Sequence, residues 1–199
     1  MGTTIRLRME DWHCEVGNVS RLSAGDWAKA ALEALAKGGL AAVAVEPIAV
    51  RLGTTKGSFY WHFRNRRALV EAALALWEQD TEKVIAALNE IADPARRMCA
   101  LLENAMADPV DAAISFRLIS AADDPGIAEI ARRVSERRLA FMQAALEEMG
   151  TPPDLARRRV VVGYGSYLGV AALRRLGASD EPLTDFIDQV MAGLALPPS

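Results

Sequence analysis

The chain has 199 residues, 51% of them hydrophobic and 25% charged, with a formal net charge of -3. This is ordinary globular composition with ample apolar material for a core. The acidic balance excludes nucleic-acid binding through global charge, so any such site must come from a local concentration of basic residues.

The two cysteines, Cys14 and Cys99, are far apart, and no Cys/His spacing fits a zinc site. They read as unpaired thiols in a reducing compartment. No apolar run approaches the ~20 residues that span a bilayer. Met1 to Leu22 lacks the continuous apolar stretch of a secretory signal. The expectation is a cytoplasmic protein without metal or cofactor.

In chain order, residues 1–22 read as an N-terminal arm without helical period. Its Arg6, Arg8 and Arg21 could touch phosphates, although a solvated tail is the simpler reading. Ser23 and Asp26 form a near capping box for a first helix. Trp27, Ala30, Ala31, Ala34 and Leu35 recur there at helical spacing, with Trp27 expected in the core, and Gly38-Gly39 stops the helix. A short second helix covers Val45 to Leu52, with Pro47 tolerated in its first turn. Thr55 caps a third, ending near His62. Asn65 caps a long fourth, ending near Ile91. Helical periodicity then continues through Pro94–Ala107, Pro109–Ala122, Pro125–Met149, Asp154–Leu176 and Pro182–Leu196, with Pro- and Gly-containing breaks between them. No convincing alternating strand is present.

The informative stretch is Val45 to Phe63, two short helices joined at Gly53, which can take the positive φ of a tight turn. Ile48, Ala49, Leu52, Phe59 and Phe63 can form one inward face. The outward set is Thr54, Thr55, Lys56, Gly57, Ser58, Tyr60, Trp61 and His62. Hydroxyls and amides at a helix N-terminus bind phosphate. Aromatics offer contact to thymine methyls and a polar tip. For Trp61 an exposed aromatic without a role stays open, and for His62 a packing role does. From Ala44 to Arg67 there are five basic residues (Arg51, Lys56, Arg64, Arg66, Arg67) against Glu46 alone, +4 in a chain of -3. Arg51 reads as a solvated helix residue.

This segment resembles the recognition module of the TetR family of bacterial repressors. The resemblance rests on Ile48-Ala49, Gly53, Thr55-Lys56-Gly57-Ser58-Phe59-Tyr60-Trp61-His62-Phe63 and Arg64-Asn65-Arg66, within about residues 23–70. It implies that Thr55 and Lys56 open the recognition helix and that Gly57 lets backbone lie close to DNA. Tyr60, His62 and Arg66 then match phosphate-contacting positions, and Thr54 and Trp61 base-facing ones. Two departures stand out. Ala44 sits where the family often has a hydroxyl cap, and Pro47 replaces a common polar residue.

The expected architecture is all-α: a helix-turn-helix domain at 23–67 and a ligand-binding and dimerisation bundle at 68–199. Helix-turn-helix proteins commonly read two half-sites as symmetric dimers. The expected homodimer face is Val161, Gly165, Leu168, Gly169 and Ala172 with Phe186 and Val190, small residues permitting close helix approach. Packing of that stripe within the subunit stays open. An effector pocket is expected among Trp77, Met98, Leu102, Met106, Phe116, Ile119, Phe141, Met142 and Tyr167, since large adaptable apolar side chains suit an apolar or aromatic ligand. Arg117, a charge in an apolar stretch, could meet a ligand carboxylate, pair with Asp123 or Asp124, or face water.

The functional expectation is a DNA-binding regulator, a repressor released from its operator by a small molecule. The alternative is a helical small-molecule-binding protein with a vestigial DNA module. An enzyme is not expected. The two histidines, His13 and His62, fall in the arm and in the DNA motif, and no catalytic constellation is evident from spacing.

Overall fold

The computed structural model describes residues 22–107, 109–121, 123–180 and 183–195. The arm's Arg6, Arg8, His13, Cys14 and Arg21 lie outside them. The described residues form helices α1 (Ala24–Gly38), α2 (Val45–Arg51), α3 (Lys56–Tyr60), α4 (Arg66–Asn89), α5 (Pro94–Ala107), α6 (Pro109–Ser120), α7 (Pro125–Glu148), α8 (Pro153–Arg175) and α9 (Leu183–Ala195). No strand occurs among them. A 3-10 turn at Leu40–Ala42, not foreseen from the sequence, links α1 to α2.

The helix starts follow from short polar side chains meeting orphan amides. Ser23 Oγ accepts from the Asp26 N–H at 3.2 Å while Asp26 Oδ2 accepts from the Ser23 N–H at 2.7 Å. These hydrogen bonds hold the Asp26 carboxyl below its ordinary range. Asn65 Oδ1 caps α4 on the Ala68 N–H at 2.9 Å, and Asp124 Oδ1 caps α7 on Gly126 and Ile127. Ala44 leaves α2 without a side-chain cap, as its residue type dictates.

Two apolar cores organise the helices. The larger runs from Trp27, Leu35, Ile48 and Phe59 through Leu69, Leu74 and Trp77 to Ile114, Leu118, Ile127 and Val134. It therefore joins α1–α4 to α6 and α7 without a break at residue 67. The smaller gathers Ile85, Leu88, Met98, Phe141, Leu146 and Val160 from α4, α5, α7 and α8.

A polar nest sits where α4, α6, α7 and α8 meet. Arg138 clasps Asp111 with two parallel bonds, Nη2 to Oδ1 at 2.8 Å and Nη1 to Oδ2 at 3.1 Å. The same two nitrogens also donate to Thr81 Oγ1 at 2.9 Å and Ser115 Oγ at 3.1 Å. Trp77 Nε1 donates to Asp111 Oδ1 at 2.8 Å, and the Arg138 guanidinium lies 5.2 Å from the Trp77 ring centroid. Burial works against the Arg138 charge, but the Asp111 carboxylate more than offsets it and the guanidinium is held above its ordinary range. At the periphery, Arg133–Glu78 and Arg137–Glu82 tie α7 to α4 at 2.8 and 2.9 Å. Exposed pairs of this kind add little individually.

No helix among the described residues is long and apolar enough to cross a membrane. Asp111→Ala would leave Arg138 buried without its counter-ion. That substitution is expected to lower stability by about 3–5 kcal/mol, read as a fall in the denaturant midpoint at unchanged slope.

Candidate nucleic-acid interface

The turn between α2 and α3 is fixed by backbone chemistry. Gly53 has φ +63°. Its N–H donates to the Val50 carbonyl at 3.1 Å, and the Thr54 N–H donates to the Ala49 carbonyl at 2.9 Å. This pair of bonds closes α2 and requires a left-handed residue at position 53. Thr55 Oγ1 then accepts from the Ser58 N–H at 3.4 Å and caps α3, leaving the hydroxyl proton of Thr55 free to donate outward.

Helix α3 is seated by Phe59, which is fully buried and packs edge-on against Trp27 with centroids 5.4 Å apart. Phe63 stacks on Phe59 at 5.7 Å. With that face committed to the core, Thr55, Lys56, Gly57, Tyr60 and Trp61 are exposed, the last two at 58% and 80%. Thr54, Ser58 and His62 are half-buried. A Cβ at Gly57 would meet only Thr55 Oγ1, at an ordinary 3.5 Å. Nothing inside the chain therefore requires glycine there.

The basic residues are deployed differently from the sequence expectation. Arg51 is exposed, as expected, but it also donates to the Ala30 carbonyl and pairs with Glu33 at 3.3 Å, fastening α2 to α1. Lys56 Nζ lies 2.7 Å from Glu46 Oε1, and that contact holds its ammonium above and the Glu46 carboxyl below their usual ranges. Arg66 is exposed, yet it donates to the Leu40 and Val43 carbonyls, the latter at 2.6 Å, and so holds the 3-10 turn against the start of α4. Arg67 pairs with Glu71 at 3.0 Å. Among the described basic residues from 44 to 67, Arg64 is the one with no such partner. Sequence spacing gave no signal for these clamps, because guanidinium-to-carbonyl bonds have no fixed separation along the chain.

The residues expected to surround an effector are distributed over two apolar cores and the surface. Trp77 belongs to the larger core, while Met98, Phe141 and Met142 belong to the smaller. Leu102 and Tyr167 are buried and Met106 is half-buried. Phe116 and Ile119 are 47% and 44% exposed and face outward. Apolar periodicity marks which face of a helix is covered, not what it encloses. Arg117 donates to the Lys37 carbonyl at 3.2 Å, a partner not expected from the sequence. On α8, Val161, Gly165 and Gly169 are exposed, with Leu168 and Ala172 half-buried; Phe186 and Val190 of α9 are half-buried. A Cβ at Gly165 or Gly169 would meet nothing within 4 Å.

Replacing Arg66 by Ala removes two charge-assisted bonds to backbone carbonyls, and is expected to lower stability by about 1–2 kcal/mol in a denaturant titration. Arg64→Ala should leave that titration unchanged.

The family model for bacterial regulatory proteins of the tetR family matches residues 28–73, the span just described. No curated protein matches the chain in sequence. Solved structures match over most of its length. A transcriptional regulator from Rhodococcus sp. Rha1 is 21% identical, with 87% of this chain and 94% of that chain covered at a TM-score of 0.73. A TetR-family regulator from Agrobacterium tumefaciens is 20% identical, with 86% and 95% covered at 0.72. The fatty acid degradation regulator FadR from Bacillus halodurans is 17% identical, with 89% and 96% covered at 0.68. Over residues 28–73 the chain is thus similar to the tetR family of bacterial regulatory proteins, and over most of its length it shares the fold of these solved structures.

Proposed function

We propose that this chain is a homodimeric regulator of transcription that reads a double-stranded operator through α3 and is released from it by a small-molecule effector. The observation that carries the reading is the outer surface of α3. The helix N-terminus is open, the hydroxyls of Thr54, Thr55 and Ser58 lie around it, and Tyr60 and Trp61 project from a helix whose other face is locked by Phe59. Amides and hydroxyls at such a terminus suit phosphate, and the aromatic pair suits a groove wall. Gly57, unconstrained from within, suits close approach from without.

The dimer reading is supported by α8. Two glycines in a helix interior cost about 1 kcal/mol each relative to alanine. Here they leave a face open that exposed Val161 and Val162 border. A second helix lying against that face would recover the loss through close packing. Two such chains would present their α3 helices in successive major grooves, roughly 34–36 Å apart. The effector would enter the C-terminal helices and favour a different spacing, which requires unequal affinity for the two states. Repression in the cytoplasm is the regulatory mode that fits. Catalysis has no role in this reading. The Cys99 thiol is raised above its usual range by burial and by Glu103, the opposite of what a nucleophile needs.

Binding of wild type to duplex fragments from its own upstream region, across a salt series, tests the reading. A tight, salt-sensitive complex that Tyr60→Ala weakens by about tenfold is the expected result. Binding no tighter than to arbitrary duplex, from that region and from a random pool alike, would overturn it. Arg64→Ala should reduce the salt slope by about one. Gly57→Ala should stabilise the fold by up to about 1 kcal/mol and still weaken the complex. Gly169→Leu should halve the mass in solution, measured by light scattering.

A further inference from the structure

The C-terminus of α1 is held by two arginines from the far side of the chain. A helix leaves its last four carbonyls without intrahelical donors. In α1 the Leu35 carbonyl is met locally by the Gly39 N–H at 2.7 Å. The next two are met from a distance. Arg175 Nη1 donates to the Ala36 carbonyl at 3.2 Å and its Nη2 to the Lys37 carbonyl at 3.1 Å. Arg117 Nη2 donates to the same Lys37 carbonyl at 3.2 Å. Both guanidiniums therefore sit at the negative end of the α1 dipole, where cations are favoured. Beneath them, Ile114 and Leu118 of α6 are buried in the core that contains Trp27 and Leu35. Gly39, at φ +70°, brings the chain beside the Arg117 side chain, its notional Cβ 3.7 Å from Cδ.

We infer that Arg117 and Arg175 are positioning residues for the DNA-binding domain, fixing the direction of α1 relative to α6 and α8. The inference rests on the reading above and deepens it. Helix α4 is the covalent link between α3 and the later helices, and the apolar core of Trp27, Leu35, Ile114 and Leu118 holds α1 against α6. The two arginines add a polar attachment at the end of α1, beyond that core. Arg175 lies one turn beyond Ala172 on α8, the helix that carries the open glycine face. Arg117 lies on α6, whose Ser115 is bonded to Arg138 in the polar nest. A displacement of α8 against its partner copy, or of α6 around the nest, would therefore move the end of α1 directly. Because Trp27 of α1 backs onto Phe59, α3 would turn with it.

The test uses the full chain with Cys14 and Cys99 replaced by serine and nitroxide labels at two exposed sites, Val50→Cys on α2 and Glu147→Cys on α7. Labelled chain is diluted into unlabelled chain, so that intramolecular distances dominate. Pulsed dipolar spectroscopy should give one narrow distance for the parent. Loss of that narrow distance is expected in R117A/R175A, with helical circular dichroism retained and the narrow distance recovered in R117K/R175K. A purely local capping role would fray the last turn of α1 without moving α2 against α7. A distance distribution in R117A/R175A as narrow and as placed as the parent's would overturn the inference. The measurement needs no DNA, so failure of the wild type to bind duplex would count against the functional reading alone. A change of spacing selectivity links the two: the parent should reject operators with half-sites moved by one base pair, and R117A/R175A should accept them.

Discussion

A helix of five residues cannot persist by its own hydrogen bonds, because nucleation fixes several residues for each bond gained. Everything that α3 presents therefore depends on Phe59 and on what lies behind it. Phe59 is fully buried against Trp27, and Trp27 shares a core with Leu69 and Leu74 of α4 and with Ile114 and Leu118 of α6. Short capping bonds set the ends, the turn at Gly53 sets the angle, and this continuous core sets the orientation. Tyr60 and Trp61 are exposed because the neighbouring position in the helix is committed inward.

The same economy governs charge. The basic residues between Ala44 and Arg67 look from the sequence like a phosphate-binding cluster, but most have work inside the protein. Arg51 and Arg66 hold backbone carbonyls, and Lys56 and Arg67 have carboxylate partners. Arg66 can still contribute potential at a nearby phosphate, since pairing with neutral carbonyls leaves its guanidinium charge uncancelled. Arg51, Arg66, Arg117 and Arg175 all use this kind of contact, two within the N-terminal helices α2 and α4 and two reaching α1 from later helices. Arginine suits the role because its donors are fixed in a fork and it keeps its charge when partly buried.

The order and extent of the helices were legible in the sequence because their signals are local. Ser23 with Asp26, Asn65, and the Pro-containing breaks each act within a turn of themselves. The exposed face of α3 was legible for the same reason, through the alternation of Phe59 and Phe63 with polar neighbours. The 3-10 turn at Leu40–Ala42 carries no such pattern. Trp77 and Phe141 obey the same periodicity while belonging to different cores, and Phe116 and Ile119 are exposed on α6, so periodicity alone does not say which apolar residues share an enclosure. Arg117 was visible as an oddity, but its partner is a carbonyl 80 residues away. No spacing rule relates them.

The central claim is that two copies of α3 enter successive major grooves on one face of the duplex. Hydroxyl-radical footprinting of the wild type on a fragment selected from a random duplex pool tests it most directly. The account predicts two protected patches related by a two-fold axis, with centres roughly 10–10.5 base pairs or a multiple apart. A single short patch, or uniform weak protection along the fragment, would contradict it.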